Sequence, residues 1–107
     1  MPDSGEARAW LEGRLAELED RLSRIEGDLS EPPDADSSER AVQMEDDEAL
    51  EAQAAVISDD IASVRRALDR IDEGGYGECV RCGGEIAAGR LEARPEAALC
   101  IDCANAG

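Results

Sequence analysis

The chain has 107 residues, a formal net charge of −16 and 42% hydrophobic residues, but there is one Trp, one Tyr and no Phe. That composition argues against a large globular core and favours extended helices held by a metal staple. No apolar run approaches membrane-spanning length, and the net negative charge argues against direct binding to nucleic-acid phosphates and for a basic protein surface as partner.

The first predicted element is a helix near residues 6–30. Leu11, Leu15, Leu18, Leu22, Ile25 and Leu29 are separated by alternating steps of four and three, which makes a heptad seam. Glu17–Arg21 and Asp20–Arg24 place the acid before the base, the order that supports a helix. Pro32-Pro33 then stop the helix, because proline removes a backbone donor and pushes its predecessor out of the α region.

A second helix is predicted near residues 37–73, with its seam at Leu50, Ala54, Ile57, Ile61, Val64, Leu68 and Ile71. A short connection between two heptad helices favours an antiparallel pair. Folding the chain evenly about the prolines sets Leu29 near Val42 and Leu11 near Ile61. The second helix then outruns the first by about two to three turns. Val64, Leu68 and Ile71 are left to pack on the C-terminal module, through Ile86, Leu91, Leu99 or Ile101, with Trp10 at the same junction. The alternative is that this stripe forms a dimer interface; a monomer is favoured because the module needs a wall.

Charge gathers where the helices connect. Residues 28–51 contain ten carboxylates and one cation, Arg40. Most charge runs are simply solvated faces. Asp36 and Glu39 also have a local role: Asp36 is placed to cap the second helix, with Glu39 reaching back as the partner in a capping box. The expected organisation is a tail and coiled-coil hairpin over residues 1–73, with an acidic tip near 31–41, followed by a small module over residues 74–107.

Gly74-Gly75 marks the end of the second helix. The module beyond contains every cysteine of the chain, in two pairs, Cys79-Val80-Arg81-Cys82 and Cys100-Ile101-Asp102-Cys103, separated by 17 residues. This spacing fits a four-thiolate zinc site. One tight turn can present two sulfurs to a tetrahedral ion, and Gly83-Gly84 lets the backbone curl around it. Four protein ligands close the coordination shell, so the reading is one structural Zn2+ whose binding supplies the folding free energy of the module. Two disulfides would suit a secreted protein, but no signal peptide is visible. A thioredoxin-like redox pair would need a βαβ context that the flanks lack. Tyr76 is expected to pack at the hinge with its hydroxyl hydrogen-bonded, and Arg94 to pair with Glu92 or Glu96 on the surface.

The stretch Tyr76-Gly77-Glu78-Cys79-Val80-Arg81-Cys82-Gly83, and above all Arg90-Leu91-Glu92-Ala93-Arg94-Pro95 running on to Leu99-Cys100-Ile101-Asp102-Cys103, resembles the DksA/TraR family of four-cysteine zinc-finger transcription factors. A generic zinc ribbon would not share those intervening residues. The resemblance covers roughly residues 30–103 (the first helix matches only by its heptads), and the chain is shorter than full-length members at both ends. It implies a mainly α cytoplasmic protein that binds bacterial RNA polymerase without touching DNA. In the family the hairpin enters the secondary channel, and its tip changes the stability of promoter complexes and hence initiation. The family tip reads Asp-x-x-Asp-x-Ala, matched here by Asp36, Glu39 and Ala41, with Glu39 one methylene longer than the expected Asp. Members that respond to the alarmone ppGpp hold it with three basic residues. Only Arg94 is basic here, the other matching positions being Ser63 and Ala104, so weak or absent ppGpp dependence is expected.

Two other function classes remain open at this stage. One is a thiol-based redox- or metal-responsive acidic coiled-coil adaptor, in which oxidation releases zinc. An enzyme is the weakest reading, since the chain has neither His nor Lys and no nucleophile–base set.

Overall fold

The computed structural model describes residues 4–29 and 37–106, with side chains described for 4–29 and 46–106. Within them the chain forms α1 (Ser4–Leu29), α2 (Ser37–Glu73), α3 (Ala88–Ala93) and α4 (Ile101–Asn105). The fold is mainly α: two long antiparallel helices followed by a small four-cysteine module. The expected bounds of α2 are met, while α1 starts two residues earlier than the heptads alone require. No helix among the described residues is long and apolar enough to cross a membrane.

Contacts group the chain into two compact units that cut across the long helices. One takes in Ala16–Ile61, the C-terminal part of α1 and the N-terminal part of α2. Among its described residues the buried apolar side chains are Leu18, Ile25, Ile57 and Ile61. The Asp20 and Arg24 side chains meet at 2.6 Å on its exposed surface, as the sequence spacing requires. Such an exposed pair contributes about 0.5 kcal/mol or less.

The other unit combines the start of α1 with residues from Ala62 onward. Its core is Ala7 and Leu11 from α1, Val64 and Ala67 from α2, and Tyr76, Cys79, Ile86, Leu91 and Ala97 from the module. Val64, Ile86 and Leu91 are all buried within this unit, and a hydrogen bond from Arg70 to the Glu96 carbonyl ties the end of α2 to the module. Leu11 and Leu91, both fully buried, each contribute about 1.5–3 kcal/mol by leaving water.

Three expectations are corrected in this unit. Arg8 hydrogen-bonds Asp72, whereas an even fold about the prolines would set it near Val64. The register is therefore slipped by about two helical turns, and α2 does not outrun α1 here. A heptad repeat fixes which face is buried but looks the same after a slip of seven residues, so the seam alone could not settle the register. Trp10 is 47% exposed and plugs no junction. Ala7 and Leu11, four apart on one face, fill the seam, and Trp10 lies about 100° around the helix from Leu11. Ile101 is 53% exposed, because it opens α4, a helix that buries none of its residues.

Gly74 closes α2 in the left-handed conformation at φ 82°. Its N–H donates to the Ile71 carbonyl at 3.2 Å, and the Gly75 N–H to the Arg70 carbonyl at 2.8 Å. Those two bonds are the Schellman closure, which satisfies carbonyls that the helix end would leave free. The chain is thereby turned into Tyr76, whose hydroxyl donates to the Pro95 carbonyl at 3.0 Å. Burial holds the Tyr76 phenol above its ordinary pKa, against a smaller opposing pull from Arg70, so the hydroxyl stays a donor. Arg70 adds a second tie, donating from Nη2 to the Glu96 carbonyl at 3.3 Å.

These placements predict opposite effects for two neighbouring positions. Leu11→Ala opens a cavity in the core and is expected to lower stability by about 2–5 kcal/mol. Gly13→Ala, where a new Cβ meets nothing within 4 Å, is expected to raise it by about 0.5–1 kcal/mol. Urea unfolding of the zinc-loaded protein checks both; a Leu11→Ala midpoint equal to wild type contradicts the assignment of the core.

Candidate metal centre

The first cysteine pair sits on a tight backbone knuckle. A single antiparallel bridge joins Glu78 to Glu85, and the Ile86 N–H donates to the Gly77 carbonyl at 2.8 Å. Inside that bracket the Cys79 N–H reaches the Gly84 carbonyl at 2.7 Å, and the Gly83 N–H reaches the Cys79 carbonyl at 2.9 Å. Gly83 adopts φ 76°, a conformation that costs an L-residue with a side chain about 1–2 kcal/mol. The curl aims the Gly84 N–H at Cys82 Sγ, 3.4 Å away.

The second pair is built on a helix start. Cys100, in extended conformation, is the N-cap of α4, and its Sγ accepts from the Cys103 N–H at 3.4 Å. One helical turn thus delivers Cys100 and Cys103 to the same side. The two pairs are drawn together by Val80 N–H donating to the Ala98 carbonyl at 2.9 Å. Arg90 Nε braces the approach, donating to the Leu99 carbonyl at 2.9 Å.

All four sulfurs, from Cys79, Cys82, Cys100 and Cys103, lie within 4.8 Å of one another, and Cys82 Sγ is 3.9 Å from Cys100 Sγ. A tetrahedral zinc ion about 2.3 Å from each sulfur sets sulfurs about 3.8 Å apart, so the residues fit the ion. The protonation of the thiols agrees. Cys79 is drawn down to about 6, first by the backbone N–H of Cys100 and then by that of Cys82. Cys103 is pushed up to about 12, first by its hydrogen bond with the Cys100 thiol and then by that with Cys79. Thiols this close cannot all ionise by themselves, whereas a divalent cation deprotonates its thiol ligands outright. Cys79, Cys82, Cys100 and Cys103 form a zinc-binding site. Four protein thiolates fill a tetrahedral shell, which is the pattern of a structural rather than a catalytic zinc.

The other predicted site residues are placed differently. Asp36 lies outside the described residues; Glu39 and Ala41 lie on the first turns of α2, but their side chains are also outside what is described. Arg94 is an exposed residue whose Nε is 3.4 Å from Glu96 Oε1, so the surface ion pair read from the sequence is formed. Missed by the sequence reading was Arg81, whose Nη1 donates to the Cys103 carbonyl at 3.4 Å; its place between two zinc ligands was the available signal.

Residues 8–71 match the DnaK suppressor protein-like N-terminal domain, and residues 74–106 match the prokaryotic dksA/traR C4-type zinc finger. Relatives named RNA polymerase-binding transcription factor DksA include that of Haemophilus influenzae, 33% identical over 89% of this chain and 64% of its own length. The Caulobacter vibrioides relative of the same name is 34% identical over 88% of this chain and 65% of its own. The Escherichia coli K12 protein of that name is 46% identical over 40% of this chain and 28% of its own. The chain thus spans less than two thirds of these curated relatives. Among solved structures, transcription factor DksA2 from Pseudomonas aeruginosa superposes with a TM-score of 0.84 at 26% identity, covering 99% of this chain and 89% of that one. The DnaK suppressor protein of Agrobacterium tumefaciens C58 gives 0.71 at 36% identity, covering 100% and 96%.

The geometry predicts that zinc affinity depends on the backbone curl. Gly83→Ala is expected to weaken zinc binding about five- to thirtyfold, the equivalent of 1–2 kcal/mol of backbone strain. Gly89→Ala, where a Cβ would meet nothing within 4 Å, is expected to leave it unchanged. Competition against a chromophoric chelator measures both, and equal affinities for Gly83→Ala and wild type contradict the assignment. With its helix-forming N-terminal part and its four-cysteine finger both matched, the chain belongs to the DksA/TraR family of C4-type zinc-finger proteins.

Proposed function

We propose that this chain binds bacterial RNA polymerase directly and modulates initiation by inserting the acidic tip of its helical hairpin into the secondary channel. The observation that carries the reading is the match over 88–89% of this chain to relatives named RNA polymerase-binding transcription factors. Charge supports it. Residues 16–61 hold 16 carboxylates against three arginines, a net −13 of the total −16, which suits entry into a basic channel. In this reading the hairpin of residues 1–73 is the working arm, and the zinc module of residues 74–107 is its base. Asp36, Glu39 and Ala41 are the tip contacts. The protein acts in the cytoplasm as a monomer, makes no contact with DNA, and is a binding protein rather than an enzyme.

Dependence on ppGpp is proposed to be weak or absent. Arg94 is the one basic residue at the three positions concerned, beside Ser63 and Ala104. Its pairing with Glu96 at 3.4 Å competes with any anion, and a polyphosphate held by one cation in place of three loses most of its charge-assisted contacts.

In vitro transcription from a ribosomal RNA promoter with bacterial polymerase tests both parts. Wild type is expected to change transcript yield, and Asp36→Asn or Glu39→Ala to lose about tenfold or more of that potency, the scale of a lost charge-assisted hydrogen bond. Adding ppGpp is expected to alter the effect by less than about twofold, in line with the missing cations. Equal potency of all three proteins contradicts the tip assignment, and strong synergy with ppGpp contradicts the second part.

A further inference from the structure

Arg81 is the one cation inside either Cys-x-x-Cys loop. It lies between Cys79 and Cys82, while its guanidinium reaches across to the other pair, Nη1 donating to the Cys103 carbonyl at 3.4 Å. The neighbouring carboxylates in sequence are Glu78, Glu85 and Asp102. The centre is also open on one side: Cys82 is exposed, and Cys100 and Cys103 are half-buried. The Val80–Ala98 backbone bond joins the first loop to the segment leading into the second pair, whereas Arg81 reaches from the first loop to a carbonyl of the second pair itself.

We propose that Arg81 is a positioning residue of the zinc centre. It clasps the backbone of α4 to the first knuckle through a charge-assisted hydrogen bond. The clasp resists separation of the two ligand pairs and so slows loss of the ion. Arginine suits the task because one N–H can serve the carbonyl while the remaining donors stay hydrated.

The test is the rate of zinc release from the zinc-loaded protein into excess chromophoric chelator. Arg81→Gln is expected to release zinc about two- to fivefold faster at low ionic strength, the range of a single exposed charged contact. The ratio is expected to fall toward one in about 1 M salt, where such charges are screened. Arg66→Gln removes the same charge from an exposed position on α2 of the same compact unit and is expected to release zinc at the wild-type rate. Circular dichroism and zinc stoichiometry before mixing establish that each variant starts folded and loaded. A wild-type rate for Arg81→Gln overturns the proposal. So does equal acceleration by Arg66→Gln, since the effect would then belong to net charge, and so does a ratio unmoved by salt.

Discussion

Four sulfurs within 4.8 Å of one another stay together as thiolates only around a cation, and the C-terminal unit is organised by that requirement. The module supplies few large apolar side chains: Tyr76, Ile86, Leu91 and Pro95 are its buried ones beyond Cys79 and Ala97. An assembly of that size rarely offsets the conformational entropy of its own chain. Zinc binding closes two loops at once, and the ends of α1 and α2 supply the rest of the core through Leu11, Val64 and Ala67. Metal and helices are thus complementary parts of one unit. Backbone geometry follows from the same need: a left-handed Gly83 on one side and a cysteine N-cap on the other each direct an N–H at a sulfur.

The two units differ in electrical character. Residues 16–61 hold most of the net negative charge, while eight of the 11 arginines lie in the unit that carries the metal. Several of those arginines brace the backbone there. Arg70 reaches the Glu96 carbonyl, Arg81 the Cys103 carbonyl and Arg90 the Leu99 carbonyl. A guanidinium can hold a carbonyl and still remain solvated at its other donors, which lets a module with a small core fix its loops. The acidic unit has no such task among its described residues. Its negative charge raises self-repulsion in isolation and becomes favourable only against a basic partner.

Much of this was legible in the sequence, for identifiable reasons. The zinc ligands could be read because metal geometry dictates their spacing. The Gly74-Gly75 helix end and the hydrogen-bonded Tyr76 could be read because each follows from local chemistry. In α1 the seam was right in detail: Leu11, Leu18 and Ile25, seven apart, are buried, and Leu15, Leu22 and Leu29 half-buried. Register was not legible, since a heptad slip leaves the seam unchanged. Ala7 and Ala67 were missed because alanine marks no face in a chain with 18 of them. Trp10 misled because size was taken as a sign of burial, when its angular position on α1 was what decided. The tip residues were readable only through family resemblance, because carboxylates on a helix start look the same whether they cap, solvate or bind.

The central claim is that a single zinc ion held by Cys79, Cys82, Cys100 and Cys103 organises the C-terminal unit. X-ray absorption at the zinc edge, on purified folded protein with reduced thiols, tests it most directly. The account predicts one zinc ion per chain, surrounded by four sulfurs at about 2.3 Å. A folded, thiol-reduced protein with substoichiometric zinc, or a coordination shell containing nitrogen or oxygen, would contradict it.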